Sequence, residues 1–260
     1  MKFHFLGTCS GTEPMKGMHH CSFVVEIDGA LYWFDAGENC SHAAVTKGLD
    51  IMKTEAFFLS HPHIDHVGGL ANLFFCFDKF IWTYRTPLAN DNRLEVFYPA
   101  ERAFEAAKSL ALGEAHSEFR YTIAPHKIND GVIFEDRNLR VRALHNLHMG
   151  EPADGIWKSF SFLLESEGKR VVYSGDVREI NELDPLIGDG VDLLIMETGH
   201  HPVRDVCEYA LSHGVRRLRF NHHGREIIGD RAAAEGLIAS YETKGNISIR
   251  LCYDGMEEIL

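Results

Sequence analysis

The chain has 260 residues, 26 Lys and Arg against 38 Asp and Glu, a formal charge of −12, and 45% hydrophobic residues. That length suits one sizeable core, so residues 1–260 read as a single domain, and so apolar a composition excludes a disordered chain. The acidity argues against broad electrostatic attraction to nucleic acid or to an anionic membrane, since such binders concentrate Lys and Arg.

In chain order, the start Met1-Lys2-Phe3-His4-Phe5-Leu6-Gly7 is too short and interrupted for a signal-peptide apolar segment. Strands are expected at Lys2–Leu6, Ser22–Ile27, Leu31–Asp35 and Ala56–Leu59. A helix follows at Gly68–Phe77, then strands at Phe80–Thr83 and Leu94–Tyr98. Pro99 opens a helix over Ala100–Leu112, with Glu101 in its first turn. Strands come next at Tyr121–Ile123, Val132–Glu135, Leu139–Ala143, Ser159–Glu165 and Lys169–Ser174. The last third alternates: strand Asp192–Met196, helix Asp205–Ser212, strand Arg217–Phe220, helix Asp230–Tyr241, strand Ile247–Cys252. Strands first in meander order, then strands interleaved with helices, suggest two packed sheets with helices outside. No run approaches the ~18 apolar residues of a membrane span. The six cysteines are scattered without a Cys-x-x-Cys pair and read as reduced thiols. A cytoplasmic protein without a membrane partner is the expectation.

The 16 histidines are the unusual count, and they cluster. Leu59-Ser60-His61-Pro62-His63-Ile64-Asp65-His66-Val67-Gly68-Gly69 puts three histidines and an aspartate directly after an apolar strand and before a helix. Off a strand end, His61 and His63 can point to one side, while Asp65 and His66 turn the other way as the helix begins. Two adjacent cations can then be served. Imidazole nitrogen with carboxylate oxygen suits Zn²⁺ and, less selectively, Mn²⁺ or Fe²⁺. A plain histidine-rich surface turn would not explain the spacing, the aspartate and Gly68-Gly69 together.

The segment resembles the His-x-His-x-Asp-His signature of the metallo-β-lactamase superfamily, which implies an αβ/βα four-layer sandwich with two mixed sheets and outer helices. The resemblance extends to Ser174-Gly175-Asp176, to Asn221-His222-His223, and to His145 or His148 after strand Leu139–Ala143, with His148 the better match. It implies one metal on His61, His63, His148 and Asp176, and a second on Asp65, His66, His222 and the bridging Asp176. Such a pair shares a hydroxide that serves as nucleophile near neutral pH, so no Ser or Cys nucleophile is needed. Redox diiron chemistry is disfavoured, because His63 stands where the oxygen-reducing relatives have an acidic residue.

Phe5-Leu6-Gly7-Thr8, Gly11-Thr12 and Phe34-Asp35-Ala36-Gly37-Glu38 resemble the opening of the ribonuclease Z-like and small phosphodiesterase branch. In that branch a histidine protonates the leaving oxygen, which places His200 in the role with Glu197 orienting it. Asp65, His200 and Glu197 are thus the candidate catalytic residues. The basic arm that ribonuclease Z enzymes use to hold transfer RNA has no counterpart between Leu70 and His148. The branch therefore implies hydrolysis of a small or cyclic phosphodiester by two divalent ions, zinc first and Mn²⁺ or Fe²⁺ as alternatives. The alternatives are transfer-RNA 3′ processing, ester, lactone or thioester hydrolysis on the same fold, and a metal-binding protein without turnover. Nucleic acid is disfavoured as a partner, and a homodimer is left open. Lys158, Arg178 and Arg225 lie near the candidate ligands in sequence and could hold a phosphate. Trp157, in the loop Met149–Lys158, could wall the pocket, and His19, His20, His201 and His223 are left without an assigned role.

Overall fold

A computed structural model of the protein describes residues 1–114, 117–152 and 154–260. His116, expected to be a surface or core-packing histidine, lies outside these residues, as does Ala153 of the loop after His148. The first sheet holds β1 (Lys2–Gly7), β2 (Ser22–Ile27), β3 (Ala30–Phe34), β4 (Thr54–Phe58), β5 (Arg93–Tyr98) and β6 (Thr122–Lys127). The second holds β7 (Gly131–Glu135), β8 (Arg140–His145), β9 (Phe160–Ser166), β10 (Lys169–Tyr173), β11 (Leu193–Glu197), β12 (Arg217–Asn221) and β13 (Ser248–Leu251). The last strand, β14 (Glu257–Ile259), returns to the first sheet and pairs with β1.

Both sheets follow one plan. The orders are β14-β1-β2-β3-β4-β5-β6 and β13-β12-β11-β10-β9-β8-β7. β14 through β3 pair antiparallel and β3 through β6 parallel. Likewise β7 through β10 are antiparallel and β10 through β13 parallel. Crossovers between parallel strands place helices on the outer faces. On the first sheet these are α1 (Cys40–Thr46), α2 (Ile64–Val67), α3 (Leu70–Tyr84) and α4 (Glu101–Leu112). On the second they are α5 (Asp184–Ile187), α6 (Val203–Ser212), α7 (Arg225–Gly229) and α8 (Arg231–Glu242).

The period of two along each strand divides the apolar side chains between two layers. In β3, Tyr32 and Phe34 join Phe23, Phe58, Phe162 and Tyr173 between the sheets. Leu31 and Trp33 face the helices with Phe57, Phe74 and Phe77. In the second sheet Leu163, Val172, Leu194 and Leu218 pack outward against Val206, Ala210 and Ile238. Three apolar layers separate four layers of structure, as the sandwich expectation requires. Each fully buried phenylalanine between the sheets contributes roughly 1.5–3 kcal/mol. An ion pair also bridges the sheets: Arg219 of β12, buried, donates from Nε and Nη2 to Glu258 of β14 at 3.0 and 2.9 Å.

One expected element is corrected. Phe80–Thr83 is not a strand but the last turn of α3. Its aromatic and β-branched residues suit a strand locally. Leu70, Leu73, Phe74 and Phe77, however, recur at helical spacing and are buried as one stripe, which carries the helix on to Tyr84. Arg85 ends it with a left-handed φ of 56°. Helix α1 and strand β14 were not expected from the sequence.

Candidate active site

The candidate residues converge where parallel strands end, the usual location of sites in such sheets. β4 leads into Ser60 and His61, which is fully buried; His63 has extended backbone (φ −64°, ψ 148°) and begins α2. The turn there brings His63 back onto His61, while Asp65 and His66 enter the helix. The second sheet contributes from separate ends: His148 after β8, Asp176 after β10, Glu197 and His200 at and after β11, and His222 after β12. Two backbone features allow the close approach. Gly175 has φ +55°, and a Cβ there would lie 2.9 Å from the Phe160 carbonyl oxygen and 3.0 Å from Ser60 Cβ. At Gly199 a Cβ would lie 2.7 Å from His222 Nδ1, so only glycine lets this loop cross the ring.

Two sets of donor atoms result. His61 Nε2 lies 3.0 Å from His63 Nδ1, which lies 3.2 Å from His148 Nε2; Asp176 Oδ2 is 3.6 Å from both His61 and His148. In the second set, Asp176 Oδ1 is 3.4 Å from His66 Nε2 and 3.4 Å from His222 Nδ1. Asp65 Oδ2 is 3.5 Å from His66 Nε2 and 3.1 Å from His222 Nε2. Around a tetrahedral ion with bonds of 2.0–2.1 Å, neighbouring donors are about 3.3 Å apart. His66 Nε2, Asp176 Oδ1 and His222 Nδ1 are also buried without a hydrogen-bond partner among the described residues. Orphaned polar atoms aimed at one another are costly unless a cation satisfies them. The residues present therefore fit a pair of divalent ions.

The electrostatics agree. Burial disfavours a charged imidazole at His66 and His222, yet Asp176 and neighbouring carboxylates outweigh it, raising His66 well above the ordinary value and His222 to about 9. A field that would hold a proton there would also hold a dication. At His148 burial wins and lowers the value to about 4, keeping it neutral and able to ligate. Burial pushes the Asp65 carboxyl up, but the hydrogen bond with His222 and the charge of His66 hold it at about 2.

A buried network that the sequence reading missed orients His66. Asp35, at the end of β3 with φ +57°, accepts from Ser60 N at 2.6 Å, Ser60 Oγ at 2.8 Å and Tyr173 Oη at 2.6 Å. It also sits 2.7 Å from His66 Nδ1, which fixes the N–H on that nitrogen and leaves Nε2 for a metal. Asp35 appears in the sequence as a carboxylate after an apolar strand, which is a usable signal. Tyr173 gives none, being 138 positions away.

Glu197 and His200 form the expected pair. Glu197 Oε1 is 3.0 Å from His200 Nδ1, and Oε2 accepts the His200 backbone N–H at 2.9 Å. That hydrogen bond raises the His200 pKa, against the opposing effect of partial burial. Burial pushes the Glu197 carboxyl up, but His200 and His222 hold it at about 2. Both His200 and Arg225 line a cavity of about 510 Å³ over the donor sets, along with Ile64, which is 74% exposed. Arg225 is held there by Glu13, donating from Nη1 at 2.9 Å.

Other candidates lie elsewhere. His145 pairs with Asp130 at 2.6 Å and stacks on Trp157 with ring centroids 3.8 Å apart; neither lines the cavity over the donors. His19 is 3.1 Å from Glu38, while His20 lines the cavity. His201 Nε2 donates to the Val177 carbonyl at 3.0 Å and His223 Nε2 to that of Cys252 at 2.9 Å, both packing roles. Arg178 does not line the cavity.

The family model described as anti-Pycsar protein Apyc1 matches residues 1–196. The chain belongs to the anti-Pycsar protein Apyc1 family. It is also similar to the ribonuclease Z of Shouchella clausii, 26% identical with 85% of this chain and 86% of the relative covered. Among solved structures, the metallo-β-lactamase fold protein YhfI from Bacillus subtilis superposes with a TM-score of 0.75 at 15% identity, covering 99% of this chain and 98% of that one. The short form of human tRNase Z gives 0.69 at 19% identity, over 100% and 99%. The Apyc1-family chain is a ribonuclease Z-like, metal-dependent hydrolase of the metallo-β-lactamase superfamily. Among its described residues no helix is long and apolar enough to cross a membrane.

Proposed function

We propose that this chain hydrolyses a small or cyclic phosphodiester with two divalent ions, zinc first and manganese or iron as alternatives. His61, His63, His148 and Asp176 would hold one, and Asp65, His66, His222 and Asp176 the other. The observation that carries this reading is Asp176, whose Oδ2 faces His61 and His148 while Oδ1 faces His66 and His222. One carboxylate reaches both donor sets, the arrangement of a bridging ligand. The bound ions supply Lewis acidity and a water of lowered pKa at neutral pH.

The chain's own residues do the rest. Glu197 holds His200 through Nδ1 and keeps its imidazole protonated to higher pH, so Nε2 is the nitrogen that hands a proton to the departing oxygen. Ile64 offers an apolar wall to the group the phosphate carries, and Arg225 a cation at the rim. A cysteine nucleophile is disfavoured, because burial pushes the Cys9 and Cys21 thiols up, away from the thiolate.

The test is turnover of bis-p-nitrophenyl phosphate against a panel of lactones and thioesters. Replacing His200 by Ala should lower kcat by about 10²–10⁴-fold while metal content stays at two. Full turnover by that variant would remove His200 from the role, and lactone hydrolysis without diester hydrolysis would remove the reading. A second reading, transfer-RNA 3′ processing, is favoured by the ribonuclease Z relative. It requires binding of precursor transfer RNA that weakens steeply with salt.

A further inference from the structure

The loop from Ser10 to His19 forms a strap along the cavity over the donor sets. Ser10, Gly11 and Thr12 line that cavity, and a Cβ at Gly11 would lie 2.9 Å from Asp65 Oδ2, so the strap passes directly over a candidate ligand. Both of its ends are fixed. Ser10 N and Oγ donate to the His223 carbonyl at 3.2 and 2.8 Å, Cys9 N donates to the His19 carbonyl at 2.8 Å, and His19 N donates to Asp254 Oδ2 at 2.7 Å. Between those ends the fixing stops. No residue from Glu13 to Met18 is buried, and Met18 N bonds only within the strap, to the Met15 carbonyl at 3.2 Å.

One contact ties this tip to the rest of the chain. Among the described residues, the only hydrogen bonds from residues 13–18 to anything outside the strap are those of Glu13 with Arg225. Nη1 donates to Oε1 at 2.9 Å and Nη2 to Oε2 at 2.5 Å. Arg225 opens α7, three residues after His222, and lines the same cavity, whereas Glu13 does not. The pair thus joins a strap of the first sheet to a helix of the second at the cavity's rim. Glu13 and Arg225 are 58% and 66% exposed, so water and salt screen them. The fork helps, but an exposed ion pair shifts an equilibrium by only about 1.4- to 5-fold. That is too little to hold a fold and enough to bias a strap between two positions.

We propose that Glu13 is a specificity-determining residue: paired with Arg225, it latches the strap over the site and limits how bulky a phosphodiester can enter. The inference rests on the phosphodiesterase reading and adds a size limit to it. Latched, the cavity of about 510 Å³ takes a small diester. Released, residues 13–18 swing about their two fixed ends and a larger alcohol fits.

The test uses two p-nitrophenyl phosphodiesters of equal charge on the metal-loaded full chain, one with methanol as its second alcohol and one with a rigid tetracyclic alcohol. Glu13→Gln should raise kcat/KM for the bulky ester about three- to fivefold and leave the methyl ester little changed. Arg225→Gln should move the bulky-to-methyl ratio in the same direction, and the exchange of Glu13→Arg with Arg225→Glu should restore it. The two single variants change the charge by opposite signs. Ratios that move in opposite directions would therefore assign the effect to electrostatic attraction and overturn the latch, as would a ratio that the exchange does not restore. Trypsin cleavage after Lys16 reads the strap without turnover: both single variants should be cut faster, and the exchanged pair at the original rate. Faster cutting with an unchanged ester ratio sinks the size limit. If no variant hydrolyses either ester while cutting still follows the latch, the phosphodiesterase reading falls and the latch stands. Hydrolysis with neither ratio nor cutting altered does the reverse.

Discussion

The first sheet supplies four candidate ligands from six consecutive residues, whereas the second supplies His148, Asp176 and His222 one strand end at a time. The first group's geometry is local: an extended residue followed by a helical turn separates His61 and His63 from Asp65 and His66. The second group's geometry is topological. It exists only because β10, β11 and β12 lie side by side and parallel, so that Asp176, Glu197 and His222 emerge at one edge. A local motif survives as long as its backbone does; a distributed one depends on sheet register.

That contrast can be broken at its joint. Asp176→Ala removes the only carboxylate among the described residues that faces both sets. It should lose metal and turnover together, by more than the 10–100-fold that an outer partner costs. Metal analysis beside kcat/KM reads it, and full metal content would show that the two sets do not depend on a common residue. The next largest effect is expected far from the chemistry. Arg219→Met leaves Glu258 buried with Arg217 as its remaining partner, and should destabilise by about 3 kcal/mol in urea unfolding. Arg219→Met with Glu258→Gln should recover most of that loss, since the uncompensated charge goes with it.

Smaller and more selective is Tyr173→Phe, which removes one donor to Asp35 while leaving the ring in the inter-sheet core. Metal affinity should fall about tenfold with little change in unfolding free energy. A spectroscopic titration with Co²⁺ would show whether one of two binding steps is weakened, as expected if only His66 is disturbed. The smallest effect concerns pH. Glu197 raises the His200 pKa, so the protonated donor persists above the ordinary imidazole range and is lost as pH rises through the raised value. Glu197→Gln removes that cause and should move the alkaline limb of kcat to lower pH, leaving the mildly acidic range less affected. An unmoved limb would mean that another group sets it.

The same contrast explains what could be read in advance. The His61–His66 segment is legible because its ligands are adjacent, and Asp176 and His222 follow from short segments that resemble a known family. The choice of His148 over His145 was legible as a preference, and the structure puts His148 with the donors and His145 on Trp157. Two packed sheets with helices outside followed from the alternating apolar runs, and the αβ/βα layering from the resemblance, whereas the strand order did not. Phe80–Thr83 misled because its residues favour a strand locally, while burial of the Leu70–Phe77 stripe decided for the helix. Asp35 lies in a turn whose sequence marks a carboxylate but not its partners, and Tyr173 carries no signal in the sequence. Its hydrogen bond to Asp35 spans 138 positions and two sheets.

The two sheets face each other across a layer of phenylalanines, and the proposed ligands are drawn from both. An ion seated among them is then a cross-brace as well as a reagent. Binding to the folded state alone adds RT ln(1 + [M]/Kd), about 2.7 kcal/mol when the free ion stands at a hundred times its dissociation constant. The melting temperature of this protein would in that case report the free metal concentration around it, and a chelator would soften the whole sandwich before it silenced the site.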